Sequence, residues 1–222
     1  MQGEYVSLRP INGKQDYELI AQWSSSVASV YSSGGQTFTT ADEMAALVAR
    51  HGITYLMVVD RSGEPVGGVT YQQLTYPGNF EVGNVVGSPE LWGLGYGMES
   101  MHLLLDHLFH QRNAHRVHLM AGLYNKQMVQ IFLKGPIKVE GILRDFFFLD
   151  GEYHDALVGS LLRNEYYGFL RSLGTSPADL IPKDDKADAR VLLAEALDKV
   201  NDILPARTNG GETRADIADT SL

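Results

Sequence analysis

Apolar and polar positions alternate with the two-residue period of a strand at Tyr5-Val6-Ser7-Leu8-Arg9, and Pro10 ends the run. Asp16 to Ser24 reads as a short helix, and the polar segment Ser24 to Thr40, with Gly34-Gly35, reads as a loop. Thr40 stands where an N-cap would open a helix to about Arg50. Thr54 to Asp60 and Val66 to Tyr76, separated by Arg61-Ser62-Gly63-Glu64, have the make-up of a β-hairpin. Pro77-Gly78-Asn79 turns the chain into a third strand, Phe80 to Val86, closed by Gly87-Ser88-Pro89. From Met98 to Arg112 the period changes: Met101, Leu104, Leu105 and Leu108 share a helical face, and Asn113 can end it. A strand at His115 to Ala121 and a helix from Asn125 to about Lys134 follow. Two strands, Ile137 to Leu149 and Tyr153 to Leu162, joined by Asp150-Gly151-Glu152, complete the pattern. The order β-α-α-β-β-β-α-β-α-β-β predicts an α/β (α+β) domain with a mixed sheet.

Past Arg171 this patterning fades. Gly174-Thr175-Ser176-Pro177 and Pro182 mark a linker, and Val191 to Leu204 predicts an amphipathic helix. Pro205 to Leu222 has few large apolar residues to offset its ordering entropy and reads as disordered. The expected division is a domain over residues 1–170, a linker and helix over 171–204, and a tail over 205–222.

The 222 residues, 44% hydrophobic, suffice for a sizeable core. No apolar run approaches the roughly 20 residues that span a bilayer, and Met1-Gln2-Gly3-Glu4-Tyr5 lacks the basic and apolar parts of a leader, so the expected location is cytoplasmic. With no cysteine, disulfides, thiolate metal sites and a cysteine nucleophile are excluded. A formal net charge of −9 argues against broad nucleic-acid binding and favours a cationic partner through steering.

Candidate chemistry centres on Trp92-Gly93-Leu94-Gly95-Tyr96-Gly97-Met98-Glu99-Ser100, a glycine-rich run that follows a strand and opens the longest helical pattern. Gly93, Gly95 and Gly97 permit a tight turn and close approach of a ligand, and the first amides of the helix lack intrahelical acceptors. Such a start suits a phosphate or pyrophosphate. No Lys-Ser/Thr pair follows, as a P-loop requires, and the spacing is not G-x-G-x-x-G.

Together with Glu81-Val82-Gly83-Asn84-Val85-Val86-Gly87-Ser88-Pro89-Glu90-Leu91, this run resembles the strand-loop-helix unit for coenzyme A in the GNAT superfamily of acyl-CoA N-acyltransferases. Within it the chain resembles the RimJ/RimL-like branch of ribosomal-protein N-terminal acetyltransferases, over roughly residues 4–170. Trp92 stands where the superfamily pattern has Arg or Gln, as in many members of that branch. Asn125, Lys134, Glu140 and Gly141 match a second pattern, and Tyr153-His154-Asp155 to Leu162-Arg163-Asn164-Glu165-Tyr166 looks like the branch's closing strand and exit.

The resemblance implies a GNAT fold, a mostly antiparallel sheet splayed into a V, with the pantetheine arm between Val85-Val86 and the strand ending near Leu123. It implies an acetyl-CoA or other acyl-CoA co-substrate, no metal, amides from Leu94 to Met98 on the pyrophosphate, and direct transfer to an amine. Two departures stand out: Gly135-Pro136-Ile137 replaces Leu-Gly-Phe, and Phe132 occupies the place of a tyrosine that protonates the leaving thiolate. Phenylalanine has no proton to donate.

By the same resemblance Glu81 is the candidate base, against the reading of an exposed strand carboxylate, because an alkylamine is protonated at neutral pH. Asn125 is read both as a pantetheine contact and as an N-cap. His118 is weighed as base or donor against a core histidine. Tyr124 and Tyr153 are substitute proton donors, against simple packing. His102, His107 and His110 read as surface or packing residues rather than a metal cluster, and Phe146-Phe147-Phe148 as a buried or dimer-facing strand before a ligand pocket. The acceptor is read as a primary amine of a small molecule, peptide or protein N-terminus. Two alternatives stay open: a transferase using aminoacyl-tRNA or a carrier protein as donor, and a non-catalytic acyl-CoA-binding module whose helix at Val191 to Leu204 docks a partner. A homodimer is also left open.

Overall fold

The computed structural model describes residues 1–196, and the chain divides into two compact units, Met1–Pro177 and Ala178–Leu222. In the first unit the elements run β1 (Val6–Pro10), α1 (Lys14–Ser24), α2 (Val27–Ser33), α3 (Ala41–His51), β2 (Thr54–Asp60), β3 (Pro65–Gln73) and β4 (Asn79–Val86). They continue with α4 (Tyr96–Asp106), β5 (Arg116–Gly122), α5 (Lys126–Lys134), β6 (Lys138–Leu149), β7 (Glu152–Leu162) and α6 (Arg163–Ser172). The seven strands form one mixed sheet in the order β1-β2-β3-β4-β5-β7-β6. Every neighbouring pair is antiparallel except β4 and β5.

Strand alternation divides the core between the two faces. Leu8, Val58, Val69, Phe80, Val117 and Leu161 pack with Leu104 and Leu108 of α4 and its continuation and with Tyr166 and Leu170 of α6. Met57 and Val59, neighbours of Val58 but on the opposite face, meet Ile20 and Trp23 of α1 and Met44 of α3. Each such side chain, fully buried, contributes about 1.5–3 kcal/mol. Thr40 caps α3 as its position predicts, in a reciprocal capping box with Glu43.

Three helices of the first unit differ from the expected pattern. Residues 27–33, read as loop, form α2, capped by Ser26 Oγ accepting from Ala28 N at 3.2 Å and ended by left-handed Gly34, φ 81°. Seven residues with two valines and three serines have little helical stability of their own, and α2 persists by packing on β4 and β5. Residues 163–166, read as the exit of a strand, instead open α6, where Tyr166 and Leu170 bury one face. α4 starts at Tyr96 rather than Met98 and passes after Asp106 into a π turn, His107–Gln111, with Asn113 in the left-handed conformation at φ 56°.

In the second unit α7 spans Lys183–Ala196 and so begins ahead of Val191. Residues 197–222, with the remainder of the expected helix and the expected disordered tail, lie outside the described residues. Among the described residues no helix is long and apolar enough to cross a membrane.

Candidate active site

β4 and β5 pair in parallel at only three positions, Asn79 with Arg116, Phe80 with Val117 and Glu81 with His118. Beyond them β4 keeps β3 alone, through Val85 opposite Gly68 and Val86 opposite Gly67, and β5 keeps β7 alone, to Gly122 opposite Ala156. The sheet therefore opens into a V with Glu81 and His118 at its apex. Among the described residues the β4 edge at Val85 and Val86 that faces the opening has no strand partner, with Val86 O held by the Trp92 indole, so an extended amide-bearing chain can approach there.

The arm formed by β4 leads to the glycine loop. Gly93 and Gly95 have φ of 82° and 89°, conformations open to glycine, and nothing lies within 4 Å of where a Cβ would stand on either. Gly97 is tight instead: a Cβ would lie 3.3 Å from Val86 Cγ2. Asn84 Nδ2 donates to Gly97 O at 2.7 Å and reaches Ser100 Oγ at 3.3 Å, which fixes the first turn of α4 against β4. The Trp92 indole donates to Val86 O at 3.1 Å. The Glu99 carboxylate accepts from Tyr5 N at 2.8 Å, Val6 N at 2.9 Å and Glu4 N, tying the same turn to β1. Leu94 on the loop and Met98 in the first turn of α4 are exposed, and Tyr96 opens the helix. The residues fit a pyrophosphate: an open glycine cradle, the free first amides of an 11-residue helix and its positive dipole end.

At the apex, His118 Nε2 lies 3.7 Å from Glu81 Oε1, and Gln72 Nε2 donates to Glu81 Oε2 at 2.6 Å. The imidazole beside it, then the Gln72 amide, hold Glu81 below the usual glutamate range against partial burial. The 3.7 Å separation is long for a direct hydrogen bond, leaving the firm contact with Gln72. Next along the register, Ser160 Oγ donates to Glu140 Oε1 at 2.7 Å, and Arg116 holds the same carboxylate through both terminal nitrogens, one at 2.6 Å. Arg116 first, then Ser160, bring Glu140 down to about 2.

The arm formed by β5 ends at Tyr124 and Asn125, both bound to the C-terminal half of α2. Tyr124 Oη donates to Val30 O at 3.0 Å, and Asn125 Nδ2 donates to Tyr31 O at 3.0 Å while its Oδ1 caps α5 by accepting from Met128 N at 3.1 Å. Burial first, then Tyr31, raise the Tyr124 phenol, so its proton is kept at neutral pH. Its ring lies over Gly122, where a Cβ would be 2.2 Å away. Rings then link the arms: Tyr31 meets Trp92 at 5.1 Å and Tyr124 at 6.3 Å, and Tyr124 meets Phe147 at 5.8 Å.

Other candidates fall elsewhere. Phe132, 2% exposed, sits in the core with its ring where a Cβ on Gly159 would be. Tyr153 is exposed on β7 against Phe148. Of the three phenylalanines Phe146 and Phe148 are exposed, contrary to a buried strand, because β6 is the outer strand of the sheet. His102, His107 and His110 partner Asp106, Gln111 and Tyr167 respectively. Among the described residues no group of three or more His, Asp or Glu is placed to hold a metal. The sequence reading passed over Gln72 and Tyr31 as site residues, weighed Phe147 as a strand residue before a pocket residue, and gave Asn84 no role. Only Asn84 carried a signal, as a polar residue between Gly83 and Val85 in an apolar strand.

A family model described as an acetyltransferase (GNAT) domain matches residues 6–135. The spermidine N(1)-acetyltransferase of Escherichia coli (strain K12) is 27% identical over 109 residues, 49% of this chain and 59% of that protein. An uncharacterized N-acetyltransferase, p20, of Bacillus licheniformis is 26% identical over 115 residues, 51% of this chain and 64% of that one. Each match therefore spans less than two thirds of the relative's length. The Vibrio cholerae spermidine N-acetyltransferase, solved in complex with CoA and spermine, has the same fold: the TM-score is 0.65 over 73% of this chain and 98% of that one, at 22% identity.

Proposed function

Since the chain belongs to the GNAT acetyltransferase family, we propose that it moves an acetyl or other short acyl group from acyl-CoA directly to a primary amine. The observation that carries this reading is the V itself, with three parallel pairs at its apex, a strand edge without a strand partner on one arm and an anion-suited helix start at the end of that arm. Bound acyl-CoA supplies an activated thioester. Val85 and Val86 offer their backbone edges to its pantetheine arm, and the amides from Leu94 to Met98 hold its pyrophosphate.

Glu81, ionised at neutral pH, takes the proton of the acceptor ammonium through water, with His118 and Gln72 holding its orientation. Asn125 caps α5 and fixes the end of β5. With Phe132 buried and without a proton to give, Tyr124 is the hydroxyl assigned to return a proton. Positioning an amine beside a thioester supplies much of the rate. Trp92 and the closing run Tyr153 to Tyr166 support, in our reading, a relation to the RimJ/RimL-like branch. Spermidine, the amine in the names of three relatives, is the reference acceptor to try first.

Calorimetric titration with acetyl-CoA, followed by a free-thiol assay against a panel of amines, tests the proposal. Binding with amine-dependent thiol release is the expected result. Binding without release would leave a coenzyme-binding module, and absence of binding would turn attention to aminoacyl-tRNA as the donor.

A further inference from the structure

We infer that the acceptor of this site is a singly charged primary amine on an apolar or aromatic body rather than a polyamine, an inference that rests on the acyltransferase reading above. A polyamine brings several ammonium groups into a cleft, and each is best offset by a carboxylate, an aromatic face giving a weaker attraction. Residues 24–40, which contain α2 and its flanks at the mouth of the V, include no Asp, Glu, Lys, Arg or His. The carboxylates just after them are engaged, Asp42 with Lys14 and Glu43 in the cap of α3.

On the strand side Glu140 is held by Arg116 and Ser160, and Asp155 accepts from Asp145 N at 2.9 Å. Glu81 at the apex, its side chain 37% exposed, offers an anion for one ammonium.

In place of charge the mouth presents rings. Tyr31, 41% exposed, stands edge-on to Trp92 of the glycine loop and to Tyr124 after β5, and Tyr124 continues the row to Phe147 of β6. The row is built in: at Gly34, the C-cap of α2, a Cβ would lie 2.0 Å from the Phe147 ring. Such a wall accepts an apolar or aromatic body by offset or edge-to-face contact, while a polyamine's outer ammonium groups would meet no carboxylate from residues 24–40. A free α-amine ahead of an apolar side chain falls in the same class as an arylalkylamine.

The test compares kcat/KM for 2-phenylethylamine and for spermidine at saturating acetyl-CoA and physiological ionic strength, read by free thiol. The expected result is a preference of about tenfold or more for 2-phenylethylamine; equal use, or a preference for spermidine, overturns the inference and leaves the acyltransferase reading standing. Thiol release with no amine at all would overturn both. Tyr31→Ala should raise KM for 2-phenylethylamine about fivefold with Tyr31→Phe close to wild type, and acetyl-CoA affinity measured on each variant controls for folding. An unchanged KM in a Tyr31→Ala protein that still binds acetyl-CoA also overturns it.

Discussion

The two arms of the V part at one point, Glu81 beside His118, and are finished by different physics. On the β4 arm the important groups are backbone amides, and the side chains around them, Asn84, Trp92 and Glu99, serve mainly to hold a loop in place by hydrogen bonds. On the β5 arm the hydrogen bonds of Tyr124 and Asn125 secure α2, and the surface so made consists of rings. A polyanion such as the coenzyme is met by preorganised amides that any amino-acid sequence possesses, provided glycines let them be reached. An acceptor has to be distinguished from other amines, which calls for side chains of particular shape and charge.

The sharpest way to break this contrast is Gly95→Glu. A side chain at φ 89° is strained and its charge would sit in the cradle, so acetyl-CoA affinity should fall about 1,000-fold, roughly 4 kcal/mol, in a calorimetric titration. Unaltered affinity would remove the glycine loop from the coenzyme site. Glu81→Gln, at the point shared by both arms, should lower kcat about 100-fold at neutral pH while leaving coenzyme affinity alone. The deficit should shrink as pH rises and more of the amine is already deprotonated, so a constant ratio to wild type across the pH range would deny Glu81 the role of base.

Asn84→Ala asks whether the loop's support matters as much as its glycines. Losing the bond to Gly97 O should weaken acetyl-CoA about five- to tenfold, on the order of 1 kcal/mol, with kcat little changed. The smallest effect belongs to Glu140, away from both arm ends. Its folded-state value is about 2 against an ordinary 4.5, so its contribution to stability is present above pH 4.5 and is lost as pH falls toward 2. Because the pair with Arg116 is partly exposed, that contribution is at most about 1 kcal/mol. Thermal unfolding of Glu140→Gln should accordingly converge on wild type at the acid end, and a difference that widens there would reverse the assignment.

The same division governs what could be read from the residues alone. The glycine cradle was legible because its parts are contiguous: strand, turn and helix start follow one another between Asn79 and Asp106. The capping box at Thr40 and the strands around it were legible for that reason too. The acceptor side draws Tyr31, Trp92, Tyr124 and Phe147 from four separate stretches, and no local period announces that they meet. α2, which brings Tyr31 there, is too short for its own composition to declare it a helix. Glu81 was named from a resemblance, but its place opposite His118 is a matter of long-range register. Tyr166 and Leu170 did carry a helical spacing, hidden because the run before them continued a strand.

The three-pair seam between β4 and β5 also bears on how the chain comes together. On one side of it β1 to β4 are antiparallel, with β2, β3 and β4 joined in order by short turns; on the other, β6 and β7 form a hairpin whose free edge takes β5. The β2-β3-β4 meander and the β6-β7 hairpin can each close with little loop entropy, whereas the seam, like the addition of β1 and β5 to those two cores, must wait for a long stretch to be laid across. We therefore expect two independently nucleated sheets that dock late, so that Val117→Ala slows refolding in stopped-flow rather than only hastening unfolding; an unaffected refolding rate would place docking after the barrier. The cleft is then a joint closed at its base and left open above, by the same register that sets the order of assembly.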